Sequence, residues 1–224
     1  DKRQALRAMG AEVVITDNVP PGDPRHFQQV AQRIAAQRPG CFWTDQFGNA
    51  ANPEVHALTT AKELWEQSEG NISAFVTGVG TGGTITGVGR ALKRLNPNIQ
   101  IVLADPKGSR LAGLINDGEL GEDGSYLVEG IGSSQVPEVF DPSVVDFAVQ
   151  VSDQEGFEMT HRLVREEGLL VGGSSGFSAA AALKALTQLS ARDADGLVVA
   201  LLQDSWDRYW SKLFNPSWMA AELG

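Results

Sequence analysis

Cysteine is almost missing: Cys41 is the single one in 224 residues. No internal disulfide can form, and such usage fits a reducing compartment. Cys41 stands beside Phe42 and Trp43, which predicts a buried structural thiol rather than a nucleophile. Basic residues are outnumbered, with 18 Lys and Arg against 28 Asp and Glu and a formal net charge of −10. A nucleic-acid backbone needs a basic face, so nucleic acid is excluded as a partner. No apolar run approaches the roughly 18 residues of a membrane span, no signal-peptide pattern opens the chain, and the expected location is the cytoplasm. The three histidines, His26, His56 and His161, share no metal-ligand spacing with one another or with Cys41; each is expected on a surface or a helix, and no metal site is expected. The initiating Met is missing too. Residues 2–9 are already helix-like, with Gly10 as a C′ stop, as expected of a chain entered partway through.

What is present is an ordinary globular composition, 42% hydrophobic and 21% charged, in which strand and helix patterns alternate. Residues 11–16 read as a short β-branched strand and Pro20-Pro21-Gly22-Asp23-Pro24 as a turn. A 3.6-residue apolar period predicts a helix over 26–37, stopped by Pro39-Gly40. Residues 41–43 read as a strand, 44–53 as a polar loop and 54–67 as a helix. Strands follow at 73–76 and 99–104, with a helix between them carrying Ile85, Val88 and Leu92, then an exposed loop over 116–126 and a strand over 144–151. Ser152 and Glu155 form a capping-box pattern opening a helix that ends at Gly168. Gly172-Gly173-Ser174-Ser175-Gly176 introduces an alanine-rich helix over 177–189, and a buried strand over 197–202 and a last helix complete the chain. This alternation predicts an α/β fold: a mostly parallel sheet with helices on both faces.

The chain is organised around Phe75-Val76-Thr77-Gly78-Val79-Gly80-Thr81-Gly82-Gly83-Thr84. A strand entering a glycine-rich turn that opens a helix makes an anion site, because glycine allows close backbone approach and the first helical N–H groups are free. The bland reading is a glycine turn that only lets helix and strand pack. Gly78, Gly80 and Gly83 also satisfy G-x-G-x-x-G, with Asp105 22 residues after Gly83, which is the dinucleotide fingerprint and would suggest an NAD-dependent oxidoreductase. A P-loop is excluded, because no Lys follows the glycines. The dense 80–84 run suits a phosphate monoester.

Four stretches together are more specific: Gln46-Phe47-Gly48-Asn49-Ala50-Ala51-Asn52-Pro53, residues 78–84, Glu129-Gly130-Ile131-Gly132, and residues 166–176. On them the whole sequence resembles the fold-type II pyridoxal-phosphate enzymes of the cysteine synthase and cystathionine β-synthase family; the ending, from Asp204-Ser205 to Trp218-Met219, leans toward the latter. The resemblance implies that Gly80, Thr81, Gly82, Gly83 and Thr84 hold the phosphate of pyridoxal 5′-phosphate and that Ser205 meets its pyridine nitrogen. It implies that Gly130 lies along the cofactor, and that Gln46, Phe47, Gly130 and Ile131 face the substrate. It implies a β-replacement in which serine or an O-activated serine loses its β-substituent and a thiol or sulfide adds, in a homodimer. Residues 1–45 would be the tail of a smaller domain and 46–224 the larger cofactor-binding domain. The family's Schiff-base lysine has no counterpart among Lys2, Lys62, Lys93, Lys107, Lys184 and Lys212, which implies a fragment inactive alone; a non-catalytic phosphate- or partner-binding relative is the third reading. Gly48, Ala50, Gln203 and Trp206 depart from the family's usual residues.

Overall fold

A computed structural model describes residues 1–20, 22–189 and 196–224. The chain divides into two compact units, Asp1–Asn49 and Ala50–Gly224.

The first unit carries α1 (Lys2–Ala8) and α2 (Phe27–Gln37). Gly10 (φ +87°) and Gly40 (φ +77°) take the left-handed conformation just beyond them, which suits a residue without Cβ. None of its described residues is buried. The strands expected over 11–16 and 41–43 do not form, because neither segment has a partner to pair with among the described residues. For the same reason Cys41 is exposed rather than buried, and Phe42 is 80% exposed. In the turn expected over 20–24, Pro21 lies outside the described residues.

The second unit opens with α3 (Ala51–Val55), a π-helical turn (His56–Thr60) and α4 (Ala61–Gln67), so the helix expected from residue 54 begins three residues earlier. There follow β1 (Ile72–Thr77), α5 (Gly83–Leu95), β2 (Gln100–Pro106), α6 (Leu111–Asp117), β3 (Phe147–Val151), α7 (Asp153–Glu166), α8 (Gly173–Leu189), β4 (Leu197–Ala200) and α9 (Pro216–Leu223). The four strands pair in parallel in the order β3-β2-β1-β4. Side chains alternate across a strand, so β1 sends Phe75 to one face and Ala74 and Val76 to the other. Phe75 joins Ile101, Leu103 and, from α5, Ile85, Val88 and Leu92; Ala74 and Val76 join Val102, Ala104 and, from α7 and α8, Phe157, Phe177 and Ala181. With both faces covered, the central strands read as nearly continuous apolar runs.

The capping box forms: Ser152 Oγ accepts from Glu155 N and the Glu155 carboxylate accepts from Ser152 N (2.8 Å). Helices α7 and α8 meet through small residues, and a Cβ at Gly176 would lie 2.0 Å from Thr160 Oγ1. Three expectations change. The final strand is not buried; β4 is a sheet edge, with Leu197 48% exposed. Helix α8 starts at Gly173 rather than after Gly176. The loop expected over 116–126 begins inside α6, whose Asn116 side chain exchanges hydrogen bonds with the Ala148 backbone (2.8 and 3.0 Å) and so covers the other edge strand, β3.

Candidate functional site

From β1 the chain moves outward through β2 to β3, then returns to place β4 on the other side of β1. The strand order therefore reverses between β1 and β4, and the crevice beyond the carboxyl ends of those strands is where an open α/β sheet takes a ligand. Residues 78–82 leave the end of β1; residues 201–205 leave the end of β4.

At the end of β1, Gly82 has φ +88° and caps α5. The N–H groups of Gly82, Thr84 and Ile85 have no acceptor among the described residues, while Thr86 N already bonds Gly82 O (3.1 Å). The result is a cluster of outward donors at the positive end of a 13-residue helix. The close packing of the bland reading is present as well. A Cβ would lie 2.4 Å from Gly130 O at Gly80, 2.4 Å from Phe140 Cβ at Gly82 and 2.0 Å from Asn52 Oδ1 at Gly83. The turn thus combines tight neighbours with free amides, and its free donors suit a phosphate.

Two residues to which the sequence assigned no role here converge on this turn. Asn52 Nδ2 donates to Thr81 Oγ1 (3.0 Å), which also accepts from Gly83 N (3.3 Å). His56 Nε2 lies 3.2 Å from Thr84 Oγ1 and its Nδ1 3.0 Å from Thr60 Oγ1. Burial pushes the His56 pKa down, which favours a neutral ring with one donor and one acceptor nitrogen. Both threonines of the cradle are oriented in this way. The signal was the helix after the polar loop: Asn52 and His56 are four apart and share one face, and they meet α5 where Gly83 and Gly87 leave room.

Beyond β4, Ser205 forms an isolated antiparallel bridge with Val171 and is half-buried; its hydroxyl has no partner among the described residues. Its neighbour Asp204 is held firmly. The Asp204 carboxylate accepts from Ser174 N (3.1 Å), Ser175 N (3.0 Å) and the Ser175 hydroxyl. Ser174 and Ser175 are buried helix-start residues, and the N-terminus of α8 is filled by a side chain of this chain. Tyr209 is pushed to a higher pKa by burial and by Asp204. Trp206 packs on Trp210 and Phe214 (ring centroids 4.4 and 6.3 Å).

Gly130 (φ +89°) is exposed and Gly132 N donates to Val79 O in the cradle (2.8 Å). Between them the Ile131 side chain is buried where a Cβ on Gly78 would lie 2.5 Å away, which leaves its backbone for any ligand. Gln46 is exposed and Phe47 meets Phe27 edge-on (6.0 Å), both within the first unit. Asp105 turns inward: it is fully buried, and Oδ2 accepts from Ala112 N at the start of α6 (2.7 Å). It offers no carboxylate to a ribose, so the acidic partner of the dinucleotide fingerprint is lost to a structural task. Four lysines are held in ion pairs, Lys62 with Glu66 (3.7 Å), Lys93 with Asp146 (2.7 Å), Lys184 with Glu155 (2.6 Å) and Lys212 with Glu129 (2.5 Å). Lys107 is exposed after β2. Among the described residues no group of three or more His, Cys, Asp or Glu could hold a metal, and no helix is long and apolar enough to cross a membrane.

The family described as "Pyridoxal-phosphate dependent enzyme" matches residues 1–204. A cystathionine beta-synthase of Apis mellifera is 39% identical over 220 residues, covering 98% of this chain and 43% of the relative. A cystathionine beta-synthase of Dictyostelium discoideum is 40% identical over 223 residues (98% and 43%), and a cysteine synthase of the same organism 35% over 229 residues (98% and 60%). The chain thus spans about two-fifths of the length of the two cystathionine beta-synthases.

Proposed function

We propose a function from one premise: this chain belongs to the pyridoxal-phosphate dependent enzyme family. The whole protein carries out a β-replacement of the cysteine synthase or cystathionine β-synthase type, exchanging the β-substituent of serine or an O-activated serine for a thiol or sulfide. The bound cofactor supplies the electron sink that this exchange needs. The chain's own residues divide the remaining work. Gly80, Thr81, Gly82, Gly83 and Thr84 hold the phosphate, with Asn52 and His56 orienting the two threonine hydroxyls. Ser205, a neutral hydroxyl, faces the pyridine nitrogen and leaves it largely unprotonated, which favours β-exchange over transamination. Gly130 and the Ile131 backbone border the substrate. Residues 1–45 are the tail of a smaller domain and 46–224 the larger domain of a cytosolic homodimer. The Schiff-base lysine lies outside this chain, which binds phosphate but does not turn over substrate alone.

The observation that carries this reading is the set of free amides of Gly82, Thr84 and Ile85 at the point where the strand order reverses. Calorimetric titration of the 224-residue chain with pyridoxal 5′-phosphate, pyridoxal and inorganic phosphate tests it. Charge-assisted hydrogen bonds of about 1.5–3 kcal/mol each predict that removing the phosphate weakens binding by at least about tenfold. Inorganic phosphate should compete. Equal affinity for pyridoxal, or no competition, refutes the assignment.

A further inference from the structure

Asp105 ends the central part of β2 without any exposure to solvent, and its Oδ1 has no hydrogen-bond partner among the described residues. No cation among the described residues pairs with it there. The Ser109 hydroxyl, 2% exposed, is brought beside it by the start of α6, where Ser109 Oγ accepts from Leu111 N (3.4 Å) and Asp105 Oδ2 from the next amide, Ala112 N (2.7 Å). Its proximity favours the ionised carboxylate. A serine hydroxyl carries one proton. Here that proton goes to Ser133 O (3.2 Å), while Ser109 Oγ accepts from Ser133 N (3.0 Å) and Leu111 N (3.4 Å). Ser133 directly follows the glycine stretch 130–132, which is tied to the cradle through Gly132 N and Val79 O. One proton therefore has two claimants, the bare Asp105 Oδ1 and the carbonyl at the foot of that stretch.

We propose that Asp105 and Ser109 form a proton-controlled latch on the glycine stretch 130–132. With Asp105 ionised, the Ser109 hydroxyl turns its proton to Oδ1 and releases Ser133 O. With Asp105 protonated by solvent, the acid carries its own proton and Ser109 returns to Ser133. Ser133 O keeps a second donor, Arg110 N (3.0 Å), in both states, so the stretch loosens rather than detaches. Burial raises the Asp105 carboxyl to about 6, which brings both states into reach near neutral pH. Tyr126 packs on Gly132, and burial, Asp105 and Asp123 push its pKa up. Arg110 directs its guanidinium elsewhere, to Gly121 O (2.8 Å) and Ser134 O (3.4 Å). The latch uses only hydrogen bonds within this chain and goes beyond the cofactor reading, so either can fail without the other.

Amide NMR of the full 224-residue chain between about pH 5 and 7.5 tests it across the expected carboxyl titration. The Ala112 and Ser133 N–H signals should shift with a shared midpoint near 6, and Asp105→Asn should flatten both. Ser109→Ala should keep the Ala112 titration, move its midpoint upward for want of the hydroxyl, and flatten Ser133. A Ser133 signal that stays flat in the unaltered chain, or still titrates in Ser109→Ala, overturns the latch. So does a flat Ala112.

Discussion

Replacing Asp204 by Ala measures how firmly the turn after β4 is built. The carboxylate accepts from two backbone amides at the start of the 17-residue helix α8 and from the Ser175 hydroxyl. Ser174 and Ser175 are 3% and 0% exposed, so water reaches the vacated amides poorly. An abandoned buried donor costs about 1–3 kcal/mol, and loss of a carboxylate from a partly buried helix N-terminus costs up to ~2 kcal/mol more. These terms overlap, since the same amides supply the helix charge. A net loss of about 3 kcal/mol is therefore expected, roughly a hundredfold in the folding equilibrium. Urea unfolding followed by tryptophan fluorescence reads it directly, because Trp206 and Trp210 lie in the adjoining turn. Asp204→Asn keeps an acceptor oxygen without the charge and should recover about half of the loss, with an unchanged denaturant slope. A loss below about 1 kcal/mol, in the range of an ordinary surface substitution, would show that α8 does not depend on this carboxylate.

Three other outcomes follow from the same contacts. Gly82→Ala sets a side chain at φ +88° and a Cβ 2.4 Å from that of Phe140; strain and overpacking should cost about 2–4 kcal/mol in a thermal melt and abolish phosphate competition. Burial raises the Glu155 pKa, but hydrogen bonds from Lys184 and Ser152 outweigh it and hold the carboxyl at about 2, below its ordinary 4.5. Its stabilisation is thus complete above about pH 4.5 and is lost as pH falls toward 2; Lys184→Met should flatten that decline in urea titrations at stepped pH, and an unchanged profile would refute the pairing. Cys41, being exposed, should react with a thiol reagent in native buffer within a few-fold of its rate in urea; strong native protection would contradict that exposure.

The glycine turn after β1 was legible because its signal is local. Four glycines at a strand-to-helix junction fix where free amides appear, whatever lies around them. The capping box at Ser152 and Glu155, and with it the start of α7, was legible for the same reason, as were the helices read from a 3.6-residue apolar spacing, α2 and α5. Helix α6 was not. It has seven residues, and its first amides are met by the Asp105 carboxylate and the Ser109 hydroxyl from the strand end before it. Asn52 and His56 escaped notice as partners of Thr81 and Thr84 because 28 or 29 residues separate each pair.

The sequence by itself determined the helices with strong apolar spacing or caps, where the backbone offered donors, and that the sheet would be parallel and covered on both faces, since periodicity and capping act within a few residues. Only the tertiary structure decided that 11–16 and 41–43 stay unpaired, that β4 is an edge, that Asp105 faces inward and that Asp204 fills the end of α8. Each of these depends on a partner distant in the chain, and a strand or a carboxylate has no stable state of its own until that partner arrives.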